Sequence, residues 1–377
     1  MQLIERSIEK HLKAGLFKGK IIVLYGARQV GKTTLVKKIL ADFGVQGGYF
    51  NCEEMSAQNG LAVAEASVLK KFLGNHRVIV LDEAQYIPEI GRKLKILIDT
   101  YPGMQIISTG SSSFELADKT AEPLTGRAFH FTLYPFSYEE ITRSGHLCVN
   151  GEDLEKVLRF GSYPEVFALP DEDAQRRLDA LASAYLYKDT LRFDDLKKTG
   201  LVRDLLKLIA FQLGQEVSYN ELSKELGVSR QTVRKYLDIL EQSFVIFTLH
   251  AFARNLRNEV KKSVKIYFYD TGIRNSLVQN YNPLALRDDV CALWENYCIA
   301  ERQKWNANQS RTVNSYFWRT YGQKEVDYIE EGGGQLKGYE FKWSPKKNAR
   351  VPAEFIGTYG AEYSVINTSN YRQFLAE

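Results

Sequence analysis

No two cysteines in this chain are spaced CxxC. The four that occur, Cys52, Cys148, Cys291 and Cys298, lie far apart or unpaired in pattern, and the five histidines are scattered. Neither a disulfide framework nor a tetrahedral zinc site is expected, and reduced thiols in a cytoplasm fit the composition. A long apolar run is missing as well. The N-terminal stretch MQLIERSIEKHLKAGLF carries Glu5 and Glu9, so it is expected to be neither a signal peptide nor a membrane span, and no membrane partner is expected. Its Leu3, Ile4, Ile8 and Leu12 mark one face of a helix instead. Strong net charge is also lacking: 50 Lys and Arg stand against 46 Asp and Glu, a formal +4, so overall composition does not single out a nucleic-acid binder. What is there is ordinary for a folded protein, 44% hydrophobic and 25% charged residues, and 377 residues are enough for two or three domains.

The distribution of charge says more than its sum. Residues 201–265 hold 11 basic against 7 acidic side chains, and the segment AFARNLRNEVKKSVK (251–265) holds five basic residues against Glu259 alone.

The strongest pattern is IIVLYGARQVGKTTLVKKIL, which reads as an apolar strand (Ile21 to Tyr25), a glycine-containing loop and an amphipathic helix. This is GxxxxGK[ST] in the strand–loop–helix context that a phosphate loop requires. Backbone amides of Gly26, Ala27, Arg28, Gln29, Val30 and Gly31 are expected to converge on phosphate oxygens, with Thr34 following the motif into the helix. Lys32 reaches the β- and γ-phosphates, Thr33 ligates magnesium, and the helix N-terminus adds its dipole. ATP and Mg2+ are therefore the expected ligands. A second apolar strand ends VIVLDEAQ: Asp82 would hold the magnesium through water, and Glu83 would orient and activate the attacking water. A third, MQIISTGSSS, brings Thr109 and Ser111 to the carboxyl end of a parallel strand, within reach of the γ-phosphate or the water. Arg127, in LTGRAFHF, is a candidate for stabilising transition-state charge, from within the chain or from a neighbouring subunit of a homo-oligomer.

The motifs GARQVGKTTL, VIVLDEAQ, IISTGSSS, LTGR, LYPFSYEEI, GSYPEV and YLYKD, in this order, resemble the bacterial and archaeal family of AAA-type ATPases that carry an uncharacterised C-terminal domain. The likeness runs over nearly the whole chain. It implies an α/β P-loop ATPase core with a parallel sheet and an N-terminal helix (1–150), a helical lid (151–200), a winged helix (201–265), and a C-terminal mixed α/β domain (266–377) related to the PD-(D/E)XK restriction-endonuclease-like folds. It also implies a polar sensor at Ser111 and an arginine finger at Arg127.

The residues agree with that layout. Residues 151–200 read as amphipathic helices interrupted near Pro164. SYNELSKELGVSRQTVRKYLDILEQSFVIFTL reads as helix, Gly227-containing turn, second helix and apolar strand. On the second helix Val233, Tyr236, Leu237 and Leu240 share a face, which turns Gln231, Arg234, Lys235 and Asp238 outward, where they would meet DNA edges while the basic 251–265 segment holds phosphates. Winged helices also serve as packing modules, so a protein partner stands beside DNA.

Near the C-terminus, EVDYIEE and LKGYEFKW read as strands joined through GGG. Asp327 on one strand, with Glu340 and Lys342 side by side on the next, is the arrangement of a magnesium-dependent phosphodiesterase. The resemblance adds Glu295 as the acid of the preceding helix, whereas helical periodicity embeds Glu301 in the apolar stripe instead. The alternative is a degenerate site in which Lys342 forms a buried ion pair with Asp327 or Glu340. Three modes of action stay open: an ATP-regulated nuclease, an ATP-dependent nucleic-acid switch, and a protein-interaction ATPase whose terminal domain is catalytically dead.

Overall fold

The structure is a computed structural model that describes residues 3–110, 124–145, 151–188, 199–252, 264–320, 324–346 and 351–376. The chain forms two compact units, the first Met1–Tyr134 with Gln242–Phe244, the second Pro135–Glu241 with Val245–Glu377. No helix among the described residues is long and apolar enough to cross a membrane.

The first unit is built on strands β1 (Ile21–Tyr25), β2 (Gly47–Asn51), β3 (Val78–Asp82), β4 (Gln105–Gly110) and β5 (Ala128–Thr132). They pair in the order β2-β3-β4-β1-β5, and every pairing is parallel. Strands β1, β3 and β4 are buried at every position, as the unbroken runs IIVLY and VIVLD require of strands covered on both faces. Because β1 sits between β4 and β5 while β2 lies at the far edge, the sheet changes winding direction beside β1. Ligands of such sheets sit outside the carboxyl ends of the strands at that switch.

The second unit holds a seven-stranded sheet in the order β12-β11-β10-β9-β7-β8-β6. Its strands are β6 (Glu216–Val217), β7 (Ile246–Ala251), β8 (Val264–Phe268), β9 (Asn314–Arg319), β10 (Glu325–Gly332), β11 (Gln335–Phe341) and β12 (Glu362–Ile366). The turn between β10 and β11 consists of Gly333 and Gly334, both at positive φ (59° and 77°), the conformation of a two-residue hairpin loop that favours glycine. Helix Tyr219–Glu225, the Gly227 turn and helix Arg230–Gln242 precede the β7–β8 hairpin, and Val233, Tyr236, Leu237 and Leu240 are buried while Gln231, Arg234, Lys235 and Asp238 are exposed. Of the basic segment 251–265, residues 253–263 lie outside the described residues, as does part of YLYKD.

The domain boundaries differ from those expected. Strand β7 pairs antiparallel with β8 on one side and parallel with β9 on the other, His250 opposite Tyr316 and Ala251 opposite Phe317. The strands expected to belong to a separate winged helix are thereby part of the terminal sheet, and a boundary at residues 265 and 266 would cut β8 in two. The core likewise ends near Tyr134 rather than residue 150. Helix Tyr138–Arg143 falls in the second unit, where its first amide, Tyr138 N–H, donates to Glu301 Oε2 at 2.6 Å.

Candidate functional site

The phosphate loop turns out of β1 at Gly26, whose φ is 151° and whose absent side chain leaves room for the Leu133 carbonyl; a Cβ here would lie 2.2 Å from that oxygen. Gln29 and Gly31 also take positive φ (60° and 95°), which bends the backbone around the start of helix Lys32–Ala41. Lys32 is buried, and its ammonium donates to the carbonyls of Gly26 at 2.7 Å and Ala27 at 2.8 Å. It is thus folded back over its own loop, within a short swing of any phosphate held there. Arg28 is partly buried, Val30 buried, and Thr34 exposed on the helix.

At the end of β3 the Asp82 carboxylate is 3% exposed, and three hydroxyls satisfy it. Thr33 Oγ1 donates to Oδ2 at 2.7 Å, Tyr49 OH donates to the same oxygen at 2.6 Å, and Thr109 Oγ1 donates to Oδ1. Thr109 in turn accepts the Glu83 N–H at 3.0 Å, so one hydroxyl fixes both members of the acidic pair. Glu83 stands at φ 53° and receives a hydrogen bond from Gln85 Nε2 at 2.5 Å. The conformation is unusual for a residue with a side chain and carries the chain out of the strand while the carboxylate is held by its neighbour. These are hard oxygen donors of the kind magnesium takes, and Thr33 with Asp82 would hold that ion beside the loop. Cys52 lies nearby, but burial and the Asp82 charge push its thiol up to about 12, so it is no nucleophile.

Residues 18–142 match the family model described as AAA domain. Residues 151–284 and 291–376 match two domains of unknown function, DUF8612 and DUF4143. Relatives over most of the chain are themselves uncharacterized: a protein of Mycobacterium tuberculosis, 27% identical over 91% of this chain and 74% of the relative, and one of Methanocaldococcus jannaschii, 26% identical over 77% and 68%. Among solved structures, Pif1 helicase from Candida albicans is 16% identical with a TM-score of 0.27, covering 48% of either chain, so this chain spans about half of its length. Drosophila ORC bound to AT-rich DNA and Cdc6 is 10% identical with a TM-score of 0.27 over 72% of this chain and 90% of that one. At those scores neither likeness carries an argument.

Of the other expected site residues, Ser111 lies outside the described residues. Arg127 is placed away from the loop. It precedes β5, which runs parallel to β1 with Ala128 opposite Ile21, and its carbonyl accepts the Ile21 N–H at 2.9 Å. Arg127 therefore stands at the start of β1, and the loop leaves the other end of that strand, about 16 Å on at the usual rise per residue. Its guanidinium pairs with Asp99 at 2.8 Å on the surface. The structure does not bring Arg127 to the loop of its own chain, and the expectation of a finger acting within the chain is corrected.

Tyr49 was not legible as a site residue. It sits on β2, brought beside Asp82 by the parallel pairing of Asn51 with Asp82, and the Lys37 ammonium lies 4.4 Å over its ring. Burial and the bond to Asp82 raise its phenol well above the ordinary range, so it stays a donor. Tyr49→Phe keeps the ring and removes only that donor. It is expected to raise the magnesium needed for half-maximal ATP hydrolysis roughly three- to tenfold, leaving magnesium-free nucleotide binding unchanged. A magnesium titration of the hydrolysis rate measures this.

In the second unit Asp327, Glu340 and Lys342 do come together. Phe341 N–H, between the two β11 residues, donates to Asp327 Oδ2 at 2.9 Å, and Lys342 Nζ lies 2.5 Å from Glu340 Oε1. Glu295 belongs to the same cluster: burial first, and then the charges of Glu295 and Glu340, hold the Asp327 carboxyl well above its ordinary range. Glu301 is elsewhere, paired with Lys304 at 2.7 Å. The cluster contains a cation that sequence reasoning did not assign to it. Lys265, on β8, reaches Glu295 Oε1 at 3.2 Å and Glu325 Oε1 at 2.5 Å, and Tyr267 OH donates to Glu295 Oε1 at 2.6 Å. Among the described residues no three His, Cys, Asp or Glu side chains converge as a metal-holding group. The donor set does not fit the metal that the resemblance implies.

Proposed function

We propose that the first unit binds ATP with magnesium and hydrolyses it, and that the nucleotide state switches the second unit, which acts on a nucleic acid or a protein partner. The observation that carries this reading is Asp82, held between Thr33 of the phosphate loop and Thr109, which also holds the Glu83 backbone. Lys32 would exchange the carbonyls of Gly26 and Ala27 for phosphate oxygens. Thr33 and Asp82 would hold magnesium, which when bound neutralises charge on the β- and γ-phosphates. Glu83 would hold the attacking water and take its proton.

The switch is supported by what the loop touches on the way out of the unit. Leu133 packs its carbonyl on Gly26, and its N–H donates to Tyr25 O at 2.8 Å. Arg6 donates to Val30 O at 3.0 Å and to Tyr134 O at 2.5 Å, tying the loop to the last residue before the second unit begins at Pro135. Inside the second unit the continuing chain is fastened again, Phe136 O by Lys304 and Tyr138 N–H by Glu301. A loop that reshapes around phosphate thus pulls on a segment that is anchored again a few residues on. The DNA branch of the reading rests on the exposed Arg234 and Lys235 and on the charge of 251–265. Hydrogen exchange of residues 136–141 tests the switch in Glu83→Gln protein. ATP is expected to change their protection several-fold, and to change nothing in Lys32→Ala protein; identical exchange with and without ATP in Glu83→Gln protein would sink it.

A further inference from the structure

We infer that Lys265 is the resident cation of the acidic cluster in the second unit, and that this chain closes with its own ammonium the place where its resemblance implies a metal. The cluster draws on four elements: Lys265 and Tyr267 on one face of β8, Glu295 on helix Val290–Asn308, Glu325 and Asp327 on β10, and Glu340 and Lys342 on β11 and just past its end. Each carboxylate has a partner within the cluster, and Lys265 serves two of them. Glu295 takes Lys265 and Tyr267, Glu325 takes Lys265, Asp327 takes the Phe341 amide, and Glu340 takes Lys342. The ammonium of Lys265 stands between Glu295 and Glu325, and among the described residues no three acids converge to hold a metal.

Lys265 cannot step aside. Its side chain is 2% exposed, lies on a strand buried at every position, and has the Phe317 ring 5.7 Å from its ammonium. An ammonium is three donors and a full positive charge with no acceptor, so it supplies what the acids require and repels a divalent ion from the same space. A magnesium-dependent phosphodiesterase needs that space. The second unit accordingly works without a metal at this position, and the network fastens helix Val290–Asn308 to β8 and, through Lys265, to β10.

Manganese uptake by the full chain tests this, in a Lys32→Ala background and without nucleotide, so that no metal enters with ATP. Paramagnetic resonance of free manganese is expected to show no uptake lost on Asp327→Asn, and the protein to cut neither single-stranded nor duplex DNA. Lys265→Met in the same background is expected to gain one manganese ion per chain, at least tenfold tighter than before, and Asp327→Asn is expected to abolish the gain. Lys265→Gln, which keeps a donor without the charge, repeats the measurement if Lys265→Met does not fold. Uptake of one manganese by the Lys32→Ala chain that Asp327→Asn removes would overturn the inference. So would Lys265→Met or Lys265→Gln protein, shown to be folded, that takes up no more manganese than its parent.

Discussion

Lys32→Ala is expected to abolish measurable ATP binding, while Glu83→Gln binds ATP as the unaltered chain does and loses hydrolysis by at least a hundredfold. The two residues differ in what they meet. The Lys32 ammonium, buried and held by the carbonyls of Gly26 and Ala27, is the charge positioned to meet phosphate oxygens before any bond changes. Removing it removes ground-state binding as well as transition-state charge. The Glu83 carboxylate lies past the end of β3, where it accepts from Gln85 Nε2, and the contribution expected of it is water activation, typically worth about 10²–10⁴ in rate. The Glu83→Gln substitution keeps the side-chain volume and the backbone bond to Thr109, because that bond is made by the main-chain N–H. Calorimetric binding beside phosphate release separates the two; equal loss of binding in both variants contradicts the role given to Glu83.

Lys304→Ala is expected to lower the unfolding free energy of the second unit by about 3–5 kcal/mol, the range for breaking one side of a buried ion pair. Lys304 and Glu301 expose 1% and 4% of their side chains, and the ammonium also donates to Phe136 O and Ser162 Oγ. Without it Glu301 keeps the Tyr138 amide but faces Asp270 with no cation between them. Burial already raises the Glu301 carboxyl above its ordinary range, and Lys304 opposes that rise. The sign follows from the raised value. The folded variant holds the Glu301 proton to higher pH than the unfolded chain does, so its stability is expected to increase as pH falls from 7 towards 5 and to be lost as pH rises. Urea unfolding at both pH values measures it. Arg176→Ala, which breaks contacts at a side chain 77% exposed, is expected to change stability by less than about 1 kcal/mol.

The parts of this architecture that could be read from the chain are those written in contiguous residues. The phosphate loop is a local covalent pattern, and strand, loop and helix lie where the glycines and apolar runs put them. The hairpin of β10 and β11 follows from three glycines between alternating strands, and that hairpin is enough to bring Asp327 beside Glu340 and Lys342. Long-range pairing was not legible. Tyr49 reaches Asp82 only because β2 lies beside β3, and Lys265 reaches Glu295 and Glu325 only because β7 joins β8 to β9. Nothing in the local sequence around either residue specifies its neighbour. The end of the sheet at which Arg127 stands was not legible for a related reason: an arginine next to a strand can stand at either end, and only the register of β5 against β1 shows which. The helical periodicity that favoured Glu301 was correct about burial, but buried Glu301 serves a structural pair, and half-buried Glu295 faces the acidic cluster.

Phosphate release from ATP by the purified full chain, with magnesium and then with excess chelator, tests the central claim most directly. Hydrolysis is expected with magnesium, and is expected to disappear with chelator, in Lys32→Ala and in Glu83→Gln. A chain that binds no ATP, or one whose hydrolysis persists undiminished in both variants, would contradict the assignment of the first unit as an ATPase built on Lys32, Asp82 and Glu83.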